Sequence, residues 1–139
     1  MDTRELLQYE LDKVGKQIDR CLDGLTEAGY DTKCAVKGMT PREMLVHLAE
    51  VYEAFMASMR GETYEWGSYK LEDTSTQNVR RVFSKGRSKA VEIALASLED
   101  KVIKGTYDYL VGHDNYHVGQ LVLSRMQVDA EWDPEAIYG

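Results

Sequence analysis

Residues 40–55 read Thr-Pro-Arg-Glu-Met-Leu-Val-His-Leu-Ala-Glu-Val-Tyr-Glu-Ala-Phe, and their reading decides the fold class. Thr40 can cap a helix, and Pro41 suits the first helical position, where its missing N–H costs nothing. Glu43, three residues after the cap, can reach back to the cap N–H and complete a capping box. Met44, Leu48, Val51, Tyr52 and Phe55 then recur at three- and four-residue steps, so one side of the helix is apolar. Gly61 marks the stop. His47 lies among Met44, Leu48 and Val51.

The same reading extends in both directions. Upstream, Asp2 stands three residues before Glu5, like another capping box, and Leu7, Leu11, Val14, Ile18, Cys21, Leu22 and Leu25 form one stripe. That helix is expected to end near Ala28-Gly29, followed by a loop through Cys34 and Gly38. Downstream, residues 61–73 (GETYEWGSYKLED) show no helical period and read as a long connection. Thr74 with Gln77 offers a third cap for a helix through Val79, Val82, Phe83, Ala90, Ile93 and Leu98 to about Lys101. Gly86 inside it suggests a kink or a close packing contact. Gly105 and Thr106 punctuate, and Thr106 is expected to cap a last helix reaching about Val128. The tail with Trp132, Pro134 and Tyr138 is expected to pack back as irregular chain. The expectation is an all-α, single-domain chain over residues 1–139, a four-helix bundle with a long crossover between the second and third helices.

Composition narrows the function classes. The 139 residues fit one domain that can bury a core without disulfides. Seventeen Lys and Arg against twenty-four Asp and Glu give a net charge of −7. That balance disfavours nucleic acid, whose binding draws on neutralising phosphates. The basic run Arg80, Arg81, Lys85, Arg87, Lys89 reads as a solvated helix face. The apolar runs are too short for a membrane span and the first residues do not read as a secretion signal, so a cytoplasmic protein is expected. Two cysteines make no disulfide framework. Cys21 reads as a small core hydrophobe, and Cys34 as a loop thiol with no neighbour in sequence to activate it.

The chemistry-bearing residues are the three histidines. His113 and His117 are four apart on the last helix and share a face, in the row of Leu110 and Leu121. With His47 from a facing helix they make the set of a three-nitrogen metal site, which leaves a coordination position for water or substrate. A lone histidine among apolar residues is more often a hydrogen-bonded core residue. Three buried together each need a partner, and one ion serves all three. Glu43, Glu50, Asp114 and Gln120 are spaced to orient the rings. His113-Asp114-Asn115-Tyr116-His117 nearly matches H-E-x-x-H, but Asp stands in place of the general-base Glu. A third ligand for that pattern would have to be Asp129 or Glu131. Glu-x-x-His pairs of di-iron bundles are absent.

Two stretches resemble a known family. Met39-Thr40-Pro41 through His47-Leu48-Ala49-Glu50 and His113 through Leu121, an H-x-x-x-H-x-G-Q helix, are similar to the DinB-like metal-binding four-helix proteins; so is the Trp132-Asp133-Pro134 tail. That superfamily includes small-thiol S-transferases. The resemblance implies one divalent metal, zinc or nickel, on His47, His113 and His117. It also implies close helix approach at Gly119, Gln120 near the metal, and often a homodimer. Val118 stands where many relatives carry a basic residue. Independently, Val111, Val118, Val122 and Met126 read as a second apolar stripe suited to association.

The leading expectation is a metal-dependent transferase acting on a small thiol and an electrophile, with Tyr64, Trp66 and Tyr69 lining the acceptor pocket. The alternatives are a non-enzymatic, stress-related metal-binding homodimer and a helical interaction module whose histidines merely pack.

Overall fold

A computed structural model describes all residues, 1–139, and every regular element in it is helical. Helix α1 spans Thr3–Leu22, α2 Glu27–Tyr30, α3 Pro41–Met59 and α4 Thr76–Ala96. Helix α5 (Asp100–Thr106) continues through a π turn at Tyr107–Val111 into α6 (Gly112–Val128), without a break. A 3₁₀ turn at Pro134–Tyr138 follows. No helix is long and apolar enough to cross a membrane.

The caps of α1 and α3 form as their sequences require. Asp2 with Glu5 and Thr40 with Glu43 both close reciprocal capping boxes. Other boundaries differ from the sequence reading. Helix α1 stops at Leu22, because Gly24 turns the chain at φ +73° and Arg125 takes up the carbonyls of Cys21 and Asp23. Thr26 then caps the separate one-turn α2.

The N-cap of α4 is Ser75, which accepts from the Asn78 N–H; no Thr74–Gln77 box forms. Helix α4 runs unbroken through Gly86, where a Cβ would make ordinary contact with Tyr52, 3.7 Å away. Helix α4 ends at Ala96 rather than near Lys101, since the Ser97 hydroxyl accepts the Glu99 N–H and offers the backbone a local turn. The last helix therefore starts at Asp100, and Thr106 lies buried inside it rather than capping it. Gly105 is a packing glycine, not a stop: a Cβ there would come within 2.7 Å of the Met59 methyl.

The π turn has a visible consequence. Thr106, Leu110 and Asp114 are four apart at each step, and all are fully buried. Two such steps in an α-helix would drift by about 40° each, and the wider turn absorbs that drift. The carbonyl of Val111 is satisfied from the side by Asn115 Nδ2 at 2.8 Å. Val111 and Val118 accordingly join the core, so the expected second apolar stripe does not exist as such. Gly119 faces open space rather than another helix. The tail is more regular than expected: Ile137 is buried, its carbonyl accepts from Arg20, and Trp132 stacks on the Arg125 guanidinium.

Side-chain pairs give the helix directions. Tyr52 meets Asp114, Phe55 meets Tyr109 and Met59 meets Gly105, so α3 runs antiparallel to the last helix. Arg42 at the start of α3 bonds Thr74 and Thr76 at the start of α4, and Tyr52 packs on Phe83, so α3 and α4 run parallel. The 60–75 connection must therefore travel back along α3. It is fastened there by Glu50, whose Oε2 accepts from Tyr64 Oη (3.0 Å) and from the N–H groups of Gly67 (3.1 Å) and Tyr69 (3.0 Å). Lys13 and Gln17 share a cleft with Asn115 and Val118, while Cys21 meets Arg125, so α1 runs parallel to α6.

One buried polar node joins all four long helices. Arg87 of α4 donates from Nε to Asp114 of α6 at 3.3 Å and from Nη2 to the Leu11 carbonyl of α1 at 2.8 Å. Tyr52 of α3 donates to the same carboxylate at 3.0 Å. Asp114 and Tyr52 have no exposed surface. Gly15 makes room for the guanidinium: a Cβ there would stand 2.7 Å from Arg87 Nη1. Because both neighbouring nitrogens are anchored, the guanidinium cannot simply swing away. Gly15→Ala is therefore expected to lower the urea-denaturation free energy by roughly 1–3 kcal/mol, the cost of loosening a buried charged hydrogen bond. Gly119→Ala, in a helix with open space at Cβ, should be neutral or raise it by up to about 1 kcal/mol.

Candidate metal centre

The three histidines that are far apart in sequence converge in space. Helix α3 carries His47, and α6 carries His113 and His117 one turn apart. His113 Nε2 lies 3.2 Å from His47 Nε2 and 3.2 Å from His117 Nε2. One ligand atom from each of the three residues lies within 4.8 Å of the others. His117 is buried, and His47 and His113 are partly exposed. Ring centroids are 4.5–5.1 Å apart and the planes are steeply tilted, so the rings do not stack face to face.

Hydrogen bonding alone cannot satisfy this cluster. A neutral imidazole offers one N–H and one lone pair. His113 Nε2, with two ring nitrogens at equal distance, can complete a good hydrogen bond to only one of them. The buried Nδ1 atoms of His113 and His117 have no hydrogen-bond partner. With protons on those Nδ1 atoms, the Nε2 lone pairs of His113 and His117 face each other, and a single N–H from His47 can serve only one of them, which is unfavourable unless a cation stands between the rings. The donor set thus fits a divalent ion: three neutral nitrogens on two helices, with a solvent-facing side at His47.

The electrostatics agree. Burial holds the His113 and His117 imidazoles down to about 4, and proximity to the other rings adds to the effect. Burial also lowers His47, against a small opposing pull from Glu50. All three are therefore neutral near pH 7, the form that can donate a lone pair. Burial pushes the Asp114 carboxyl up to about 7, although Arg87 and Tyr52 pull it down.

The residues expected by spacing to orient the rings do other things. Glu43 is occupied by the Thr40 cap and Glu50 by the 60–75 connection. Asp114 turns away to Tyr52 and Arg87. Only Gln120 lies beside His117; its Nε2 donates to Tyr116 Oη and its Oε1 is buried without a partner. Asp129 pairs with Arg125, and neither it nor Glu131 joins the histidines.

A depression of about 500 Å³ opens beside His47, lined by Met39, Arg42, Glu43, Val46, Glu50 and Thr74. Tyr64, Trp66 and Tyr69 do not line it; Tyr64 and Tyr69 tie the connection to Glu50 instead. Arg42, the one cation in the wall, commits every N–H to Asp31, Glu27, Thr74 and Thr76.

Residues 1–108 match the family model described as the DinB family. The chain belongs to the DinB family. No curated protein and no solved structure matches it. The matched DinB segment contains His47 but ends before His113 and His117, so the meeting of the three rings is a finding of the structure. Sequence reasoning missed Arg87, placed among solvated basic residues. Its signal was present: with Val79, Phe83, Ala90 and Ala94, it occupies one helical row.

The pKa shifts predict how the metal-free protein responds to acid. The histidines sit below their unfolded value of 6.5, so the unfolded chain binds more protons between pH 6.5 and about 4, and stability falls as pH drops through that window. Asp114, raised from 3.8 to about 7, acts in the opposite sense, but it is one group against three. Denaturant titrations of chelator-treated protein should show stability declining from pH 6.5 toward pH 4; a flat profile would contradict the buried neutral cluster.

Proposed function

We propose that this DinB-family chain is a cytoplasmic divalent-metal protein in which His47, His113 and His117 hold one ion, zinc or nickel. We read the helices as a four-helix bundle with a crossover between its second and third members. The convergence of three Nε2 atoms, which hydrogen bonds cannot satisfy, carries the metal reading. Imidazole nitrogens suit both metals, so the protein's selectivity rests on supply and geometry.

The finer reading is a metal-dependent transferase joining a small thiol to an electrophile. A divalent ion supplies the acidity that lowers a thiol's pKa and raises the thiolate share at neutral pH. The open depression at His47 supports this reading, since it gives a small molecule access to one side of the cluster. Val46 and Met39 provide its apolar wall, and Glu50 holds the neighbouring connection in place. With the Arg42 donors all committed, the wall has no free cation for a substrate carboxylate or phosphate. Neutral or zwitterionic thiols therefore fit better than strongly anionic ones. We also propose a homodimer, supported by the exposed Tyr116, Leu123 and Met126 on α6; sedimentation equilibrium, with Leu123→Glu shifting the mass toward monomer, tests it.

Untagged protein should contain close to one equivalent of metal by elemental analysis, and His47→Ala or His117→Ala should lose it. At metal a hundredfold above Kd the fold should gain roughly 3 kcal/mol over the chelated form. Metal-loaded protein incubated with a panel of thiols and a model electrophile should turn over faster than His117→Ala. Bound metal with no turnover across the panel would leave a non-enzymatic metal protein and remove the transferase.

A further inference from the structure

We propose that the buried Tyr52–Asp114–Arg87 chain is the positioning device of the three-histidine site, holding α3 and α6 in the register at which His47 meets His113 and His117. The inference rests on the metal reading above.

His113 and His117 need no outside help to align with each other, because one helix carries both at a four-residue step. His47 is different. It belongs to α3, and its ring nitrogen reaches the other two only if α3 and α6 are correct in slide and rotation. The Tyr52 hydroxyl lies 3.0 Å from both oxygens of Asp114, the residue next to His113. This bond crosses from α3 to α6 about two turns or less from the histidine cluster on each helix. Its two members are fully buried, so no water competes for either.

Arg87 completes the device. Its Nε meets Asp114 Oδ2 at 3.3 Å while Nη2 is held by the Leu11 carbonyl at 2.8 Å, so the carboxylate is anchored from α4 and α1 as well. The direction of Asp114 is itself set by the π turn, which keeps Thr106, Leu110 and Asp114 all facing inward. Asp114 thus does not orient an imidazole, as its place beside His113 suggests. It acts through the backbone of α6, by fixing where that helix lies against α3.

The test uses cobalt(II) alone as the probe, with Kd from titration and coordination from visible absorption. Tyr52→Phe and Asp114→Asn should keep their helical circular dichroism while binding cobalt about tenfold to a hundredfold more weakly, with an altered absorption band. Cys21→Ala, buried beside Arg125 about two turns beyond His117, should keep wild-type affinity and spectrum even where it lowers stability. If Asp114→Asn does not fold, Tyr52→Phe decides. Folded Tyr52→Phe with wild-type affinity and spectrum overturns the inference. So does Cys21→Ala weakened in proportion to its stability loss, because the effect would then be general. Wild-type protein that takes up no cobalt overturns the metal reading itself.

Discussion

The structure depends on a carboxyl group buried where four helices meet. Asp114 has no exposed surface, and a carboxylate in such a place is tolerated only with full compensation. Arg87 supplies the opposite charge and Tyr52 a hydroxyl donor, while the Leu11 carbonyl accepts from Nη2 of the guanidinium. A buried ion pair of this kind is weak evidence for extra stability, because desolvation offsets the attraction. Its value is geometric. Sliding one helix over another would cost packing contacts anywhere in the core, and here it would also strip a buried carboxylate of its donors.

That constraint explains why the histidine cluster can exist at all. Three imidazoles held as neutral groups at 3.2 Å contacts are not a low-energy packing by themselves. They are held by helices whose positions are decided elsewhere: by the node close to the cluster and, farther along the same two helices, by the packing of Gly105 against Met59. The cluster is an arrangement that could hold an ion. The same helix that carries two of its members contains the π turn, a local departure that proteins often place near functional sites.

The depression beside His47 is shaped by two further ties. Glu50 gathers three donors from the 60–75 connection, and Arg42 joins the starts of α3 and α4 to Asp31 and Glu27. Both side chains commit to architecture the polar atoms that line the depression. The recognition left to this surface is shape, apolar contact at Met39 and Val46, and the imidazole of His47.

The sequence by itself determined the helices with strong end signals and singled out the three histidines that the fold brings together. The reciprocal caps at Asp2 and Thr40 and the stripe from Met44 to Phe55 are local features, written within a few residues of where they act. The four-residue step of His113 and His117 places them on one face for the same reason. What only the tertiary structure decided depends on contacts between distant residues. Helix α1 ends early because Arg125, a hundred residues away, takes its last carbonyls. Thr106 is buried within a helix because α5 runs on through the π turn into α6, a continuity of backbone hydrogen bonds that the Gly105-Thr106 pair does not reveal. Arg87 looks like a solvated cation until Asp114 is found opposite it. Glu43 and Gln120 bond within their own local stretch, to Thr40 and Tyr116, whereas the fates of Glu50 and Asp114 were set by partners distant in sequence, about which spacing along one helix carries no information.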